Sequence, residues 1–229
     1  MRLLGWGDAG LAEAAGARRL DAALESFLRT VFAWQEARYP GLCSTVVVVN
    51  EAMANGSNSV AARGSIWSRL GPDPEWYIVR AFQLAKQLRP DYVLCLNDYA
   101  QEYPGYAHDR ARAFRALVRR LLDRGAPIDA VGFQCHVRNI YKEVPTYDGL
   151  MEVFAWFDEM GLPCHLTEVD YDVDLSQDLS SQLEAEARMF GDVILRAVLD
   201  SPNVTNFTLW GFTDKFSSVA YDCGPRYGA

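Results

Sequence analysis

The 229-residue chain contains no apolar run that approaches the roughly 20 residues needed to cross a bilayer. Residues 1–6 have neither the length nor the cleavage site of a secretory signal peptide. Basic residues are scarce relative to acidic ones, 22 against 30, and the net charge is −8. An acidic chain is poorly suited to nucleic acid or to an anionic membrane, so we expect a neutral substrate and neither of those partners.

Cysteine patterns that bind zinc or build a disulfide framework are also missing. The five cysteines, at positions 43, 95, 135, 164 and 223, are odd in number and show no CxxC spacing. Four of them lie inside or beside predicted strands, where a free cysteine behaves as a small buried apolar residue. We therefore expect no metal site, and the compartment remains unknown from the sequence.

Loops that hold nucleotide phosphates are absent as well, because no GxGxxG or Walker sequence follows any predicted strand. Instead, apolar strands alternate with amphipathic helices. The predicted strands are at about 2–6, 45–50, 92–97, 129–134, 164–169 and 205–210. The predicted helices are near 17–38, 74–89, 108–124, 146–160 and 178–200. Half of the residues are apolar, and the length fits one globular domain over residues 1–229.

This alternation indicates an α/β protein with a parallel sheet, closed as a barrel or left open as a doubly wound sheet. Polar residues follow several different strands, which is typical of (β/α)₈ (TIM) barrels, whose active sites lie at the carboxyl ends of the strands. A complete barrel needs eight strands and the sequence predicts six. We therefore expect an incomplete TIM-type barrel.

Two glutamates, Glu51 and Glu168, stand at or near the ends of predicted strands. Two carboxylates that face one cavity can cleave a glycosidic bond, one as acid and base and the other as nucleophile. Each could instead pair with an arginine at the barrel mouth. The neighbouring residues favour the catalytic interpretation for the two together.

Residues two apart on a strand share a face, and this rule groups Gln134 with His136 and Glu168 with Asp170. A histidine held between Glu168 and Asp170 would have a fixed orientation, although a lone histidine is more often a hydrogen-bonded core residue. Other polar and aromatic residues at strand ends are candidates for sugar binding: Asn50, Asn97, Tyr99 and Trp210. They could also cap helices or fill the core.

One predicted helix is rich in arginine. Its arginines are at positions 110, 112, 115, 119, 120 and 124. Given the acidic net charge, we interpret this stretch as a solvated outer face.

The chain resembles glycoside hydrolase family 10, the retaining endo-β-1,4-xylanases. Five blocks carry the resemblance: 48–52 (VVNEA), 96–99 (LNDY), 128–136 (IDAVGFQCH), 165–170 (HLTEVD) and 207–214 (FTLWGFTD). The resemblance implies a (β/α)₈ barrel, a xylan or xylo-oligosaccharide substrate and no cofactor. It also implies that Glu51 is the acid/base and Glu168 the nucleophile.

The supporting roles follow from the same resemblance. Asn50 would hold a hydroxyl of the sugar at the cleavage point. Gln134 and His136 would hydrogen-bond around the carboxylates, with Asp170 behind His136. Trp210 would form part of the floor under that sugar.

Several positions depart from the family pattern. Val46–Val47 replaces a usual Trp-Asp, Ala100 a usual Asn, and Ser218 a common Trp. Trp6–Gly7 resembles the motif of the third strand, with glycine in place of histidine. On that alignment the first two strands and the final helix of the family are missing, and we expect exposed sheet edges that favour self-association.

Three functions are consistent with these residues. The first is a retaining xylanase, and the second is a degenerate barrel that binds carbohydrate without cleaving it, because catalysis needs contacts made in the transition state. The third is a fragment with a purely structural role. The family is mostly secreted, whereas the chain shows no export signal.

Overall fold

The computed structural model describes residues 13–55, 58–102, 108–138, 144–219 and 227–228. Its main sheet contains the strands β1 (Thr45–Asn50), β2 (Val93–Asp98), β3 (Ala130–Phe133), β4 (His136–Val137), β5 (Cys164–Tyr171) and β7 (Val204–Leu209). Two short strands, β6 (Val173–Asp174) and β8 (Tyr227–Gly228), form a separate antiparallel pair.

The strands of the main sheet are all parallel, and they follow one another in nearly the order of the chain. β1 pairs with β2, β2 with β3, β3 with β5, and β5 with β7. The short β4 continues beyond β3 and pairs with the second half of β5. Because parallel crossovers are right-handed, a strand order that follows the chain places the connecting helices on one face, as in a barrel.

Helices connect these strands. They are α1 (Glu13–Arg38), α2 (Ile66–Leu70), α3 (Trp76–Leu88), α4 (His108–Asp123), α5 (Tyr147–Asp158), α6 (Leu179–Ala187) and α7 (Arg196–Asp200). A π-helical segment, Arg188–Leu195, joins α6 to α7 without a break. In the part of the chain that the structure describes, no helix combines the length and apolarity that a membrane span requires.

The core lies between the central strands and their helices. Its largest fully buried side chains include Phe82, Phe114, Phe133, Phe154 and Phe157. Aromatic edge contacts join this layer, with ring centroids of Phe133 and Phe157 5.6 Å apart.

Burial is much greater in the middle of the sheet than at its sides. β2 and β3 are buried almost throughout, whereas most residues of β1 and β7 are exposed or only partly buried. Val47 of β1 and Leu209 of β7 are 40% and 53% exposed. Among the described residues the barrel is unclosed, with β1 and β7 as its two sides.

The sequence-based prediction of an incomplete TIM-type barrel is confirmed. Five of the six predicted strands occur within two residues of their expected bounds, and so do the helices except for the earlier start of α1. The sixth strand, predicted near 2–6, lies outside the described residues, as does Trp6–Gly7. The interruption between β3 and β4 was not predicted.

Candidate active site

The backbone turns sharply where three neighbouring strands end. Glu51, Ala100 and Cys135 follow β1, β2 and β3, and all three have left-handed backbones with φ of 53°, 62° and 60°. Non-glycine residues rarely adopt this conformation, and such strain is concentrated at functional sites. Cys135 separates Gln134 from His136, so these two residues do not lie on one continuous strand, which the two-residue rule that grouped them requires. Their side chains nevertheless reach the same site.

Glu51 is half-buried and is held by two side-chain donors. Gln134 Nε2 donates to Glu51 Oε1 at 3.1 Å, and Arg63 Nη2 lies 2.7 Å from Oε2. Burial raises the pKa of the Glu51 carboxyl, but the hydrogen bonds from Gln134 and Arg63 and the charge of Arg63 outweigh it, so the pKa is lowered. The isolated site therefore holds Glu51 as a carboxylate.

Glu168 lies within β5, and each of its carboxylate oxygens has a neighbour. Asn97 Nδ2 donates to Oε1 at 2.9 Å. His136 Nε2 lies 3.3 Å from Oε2. Thr167 Oγ1 contacts Asn97 Oδ1 at 2.8 Å, which sets the orientation of the Asn97 amide. Glu168 is thus restrained by β2 and β4.

A chain of amides connects the two carboxylates. Asn50 Oδ1 accepts hydrogen bonds from Asn97 Nδ2 at 2.9 Å and from Gln134 Nε2 at 3.3 Å. The same two amide groups also donate to Glu168 and Glu51, respectively. Since its oxygen serves both donors, Asn50 has its own NH₂ group left to bind another acceptor.

Gly132 provides the space that this network requires. A Cβ atom at Gly132 would lie 2.2 Å from Asn97 Oδ1, well inside van der Waals contact. A larger residue would therefore displace the amide that binds Glu168.

His136 lies between two acidic side chains. Its Nδ1 contacts Asp170 Oδ1 at 2.8 Å, on the side of the ring opposite Glu168. Burial lowers the pKa of His136, but hydrogen bonds to Asp170 and Glu168 outweigh it and raise the pKa to about 9. Burial raises the pKa of Asp170, yet the bonds from His136 and Arg138 hold it below its usual value. His136 is accordingly an imidazolium at neutral pH.

Trp210 lies beside this histidine, immediately after β7. The two rings meet edge to face, with centroids 6.0 Å apart and an angle of 77° between their planes. Trp210 is 48% exposed, so a broad apolar surface remains available next to His136 and Glu168.

Tyr99 is connected to Glu51 only indirectly. Its hydroxyl contacts Asn55 Oδ1, which also accepts from Arg63 Nη1 at 3.1 Å. Arg63 in turn binds Glu51. In the described hydrogen bonds, Tyr99 therefore reaches Glu51 through Asn55 and Arg63 and not directly.

A buried ion pair anchors the loop that follows Glu51. Arg110 Nη2 lies 2.6 Å from Asp98 Oδ1, and both side chains are almost inaccessible. Arg110 also donates to the carbonyl of Ala54, while the Asp98 carboxylate accepts from the backbone N–H of Met53. The prediction that this arginine lies on a solvated face is wrong. It holds for others of the same helix, such as Arg112 and Arg119, which are exposed.

The assembled groups can perform acid–base and nucleophilic chemistry on a neutral substrate. Two carboxylates lie at one edge of the sheet, one beside an imidazolium and the other beside an arginine, with amides between them. No cluster of three or more His, Cys, Asp or Glu side chains within the described ranges is arranged to hold a metal ion.

Comparison with known proteins decides the family. The sequence profile described as Glycosyl hydrolase family 10 matches residues 6–222, which is nearly the whole chain. The chain belongs to glycosyl hydrolase family 10. The resemblance inferred from the five sequence blocks is thereby confirmed.

Two relatives of this family-10 chain are endo-1,4-beta-xylanases. Endo-1,4-beta-xylanase B of Thermotoga neapolitana is 33% identical over 197 residues, covering 86% of this chain and 52% of the relative. Endo-1,4-beta-xylanase 1 of Humicola insolens is 34% identical over 197 residues, covering 86% and 43%. The chain thus spans about half the length of these relatives.

Solved family-10 structures share the fold. Native xylanase 10B of Thermotoga maritima superposes with a TM-score of 0.78 at 30% identity, covering 97% of this chain and 65% of that one. Xylanase 10B of Thermotoga petrophila RKU-1, solved with xylobiose, gives 0.77 at 27% identity, covering 96% and 61%.

Sequence reasoning missed three arginines that contribute to this family-10 site. Arg63 reaches it from a short 3-10 helix (Ala61–Arg63) in the connection after β1, and Arg110 reaches it from α4. No spacing rule connects either arginine to Glu51. Arg138, in contrast, lies two residues after His136, so the same rule that grouped Gln134 with His136 could have included it.

Proposed function

We propose that this chain is a glycoside hydrolase that cleaves β-1,4-xylan or xylo-oligosaccharides with retention of configuration. Glu168 is the nucleophile and Glu51 the acid/base. The observation that carries the proposal is the hydrogen-bonded chain of Asn50, Asn97 and Gln134 that joins the two carboxylates. The xylanase activity of the relatives supports the choice of substrate.

In the first step, Glu168 attacks the anomeric carbon while Glu51 protonates the departing glycosidic oxygen. Asn97 and His136 restrain the two oxygens of Glu168, so little reorganisation precedes the attack. The amide oxygen of Asn50 accepts from Asn97 and Gln134, so its NH₂ group can donate to a hydroxyl of the sugar being attacked. Trp210 offers an apolar face beneath that sugar.

In the second step, Glu51 removes a proton from water, which attacks the glycosyl–enzyme ester and releases Glu168. Glu51 therefore alternates between its acid and its carboxylate. Arg63 and Gln134 favour the carboxylate, the form needed in this second step. For the first step, the approach of the leaving sugar must offset their effect.

Release of reducing sugar from soluble xylan by the purified chain tests the proposal. We expect turnover that disappears in Glu168→Ala. The matched control is Glu159→Ala, which removes an exposed glutamate paired with Arg115 on the outer surface. Its turnover should equal that of the unaltered chain.

Two results would contradict the proposal. One is turnover that survives in Glu168→Ala. The other is measurable binding of xylo-oligosaccharide without turnover by a chain that melts cooperatively. The second result would identify a carbohydrate-binding barrel.

A further inference from the structure

Arg138 makes a two-pronged contact with the carboxylate behind His136. It follows β4, and its side chain is 5% exposed. Its Nη1 contacts Asp170 Oδ1, and its Nη2 donates to Oδ2 at 3.0 Å. An arginine that binds both oxygens fixes the plane of a carboxylate, which a single donor cannot do.

The same carboxylate oxygen serves two partners. Asp170 Oδ1 accepts from Arg138 and also contacts His136 Nδ1, and His136 and Asp170 are paired across β4 and β5. With its plane fixed by Arg138, Asp170 presents this oxygen to the imidazole ring in one orientation. The ring then directs its other nitrogen, Nε2, toward Glu168 Oε2.

We propose that Arg138 is a positioning residue for the candidate nucleophile, acting on Glu168 through Asp170 and His136. The inference rests on the proposed function, because it assigns Glu168 the role of nucleophile. Arg138 itself does not contact Glu168 in the hydrogen bonds and ion pairs of the described residues. Its influence therefore passes through the two residues between them.

The charges around His136 indicate that Arg138 acts by orienting Asp170 and not by its positive charge. Asp170, Glu168 and the fully buried Glu102 are acidic, while Arg138 is the basic neighbour. The positive charge of Arg138 by itself opposes protonation of His136. Its useful contribution is thus the orientation of Asp170, which a positive charge without a fork-shaped donor would not supply.

A double-mutant cycle tests whether Arg138 acts through Asp170. The variants are Arg138→Met, Asp170→Asn and the two together, assayed on xylo-oligosaccharide. We expect Arg138→Met alone to lower kcat by about 10- to 100-fold with KM changed by less than about twofold, because a displaced nucleophile slows the chemical step. In the Asp170→Asn background the same change should alter kcat by less than about twofold. Multiplicative effects of the two changes would overturn the proposal.

Loss of folding must be separated from loss of positioning. Arg138→Met leaves the Asp170 charge buried without its arginine, whereas the double variant removes both charges and avoids that cost. Arg138→Lys keeps the positive charge but not the fork, so we expect it to restore folding without restoring kcat. Full recovery of kcat by lysine would overturn the proposal. Arg80→Met breaks an ion pair with Asp21 between α1 and α3. It serves as the control for the loss of an arginine–aspartate ion pair elsewhere in the fold.

A second measurement does not depend on activity. The chain has three histidines, so the ring signals of His136 can be assigned in ¹⁵N NMR spectra by their loss in His136→Gln. We expect a slowly exchanging Nδ1–H signal in the unaltered chain and its loss to solvent exchange in Arg138→Met and Arg138→Lys. Retention of that signal in both folded variants would overturn the proposal.

The activity assay and the NMR signal distinguish failure of the proposed function from failure of the role of Arg138. If the unaltered chain does not cleave xylan, the proposed function fails, and the NMR signal still reports whether Arg138 orients His136. If the chain cleaves xylan but the cycle is multiplicative, the function stands and the role of Arg138 fails.

Discussion

Glu168 and Glu51 differ in the kind of structure that surrounds them. Glu168 lies inside β5, a central strand, and its contacts come from residues on two other strands, Asn97 of β2 and His136 of β4. Glu51 follows β1, at one side of the described sheet, and it is bound by Arg63 from a loop. A nucleophile needs one fixed position, whereas an acid/base must change its protonation state twice in each cycle. The roles that we propose fit this difference, because Glu168 is contacted from two strands whereas one of the two contacts of Glu51 comes from outside the sheet.

Removing Glu168 should have the largest effect. If Glu168 is the nucleophile, as we propose, we expect kcat of Glu168→Gly on an aryl xylobioside to fall by at least about 10⁴-fold. Azide can then occupy the space left by the carboxylate and attack from the same face, giving a glycosyl azide of inverted configuration. NMR of the product checks the configuration. A glycosyl azide of retained configuration would reverse the roles assigned to the two glutamates.

Removing Glu51 should have a smaller effect that depends on the leaving group. On xylan, Glu51→Ala should lower kcat/KM by about 10²- to 10⁴-fold, the usual contribution of a general acid. On a dinitrophenyl xylobioside the first step should be nearly unchanged, because that leaving group departs without a proton. Azide should accelerate the second step and give an azide of retained configuration. Equal losses on both substrates would contradict the assignment.

The ion pair between Glu51 and Arg63 should affect the pH dependence of kcat/KM. The first step needs protonated Glu51, and this form is lost as the pH rises through a pKa that lies below its usual value. Activity expressed as kcat/KM should therefore fall as the pH rises. Arg63→Met removes a hydrogen bond and a positive charge, so the pKa of Glu51 should rise and the fall of kcat/KM should move to higher pH.

The control for Arg63 is Arg115→Met, which breaks an ion pair with Glu159 on the outer surface. It should leave the pH profile of kcat/KM unchanged. A downward shift or no shift in Arg63→Met would show that Arg63 does not set the pKa of the acid.

Much of the fold and part of the site were predictable because their signals are local. Apolar runs and amphipathic stretches give the strands and helices, and polar residues at strand ends indicate Glu51, Glu168 and Asn97. Contacts between distant segments have no such signal. Arg63 reaches Glu51 from the connection that follows β1, and Arg110 is buried in an ion pair with Asp98. The left-handed turn at Cys135 interrupts a stretch whose sequence predicts one strand.

Ala100 shows how a departure in sequence gains a physical meaning from the structure. Family 10 usually has asparagine at this position, which follows Asn97 and Tyr99 at the end of β2. The Ala100 backbone has φ of 62°, a conformation that costs an alanine about 1–2 kcal/mol and an asparagine less. We therefore expect Ala100→Asn to raise the free energy of unfolding by about 0.5–1 kcal/mol, measured by urea denaturation. The end of β2 is thus a place where the backbone conformation costs free energy of folding.

A helical alanine provides the matched control for this smallest effect. Ala116 is an exposed residue within α4, where asparagine is a poorer helix former than alanine. Ala116→Asn should therefore lower the free energy of unfolding by about 0.5 kcal/mol, opposite in sign to Ala100→Asn. The same sign for both substitutions would attribute the change at Ala100 to something other than its backbone. Opposite signs would show that the backbone strain at the end of β2 can be relieved, and kcat of Ala100→Asn would then tell whether activity depends on that strain.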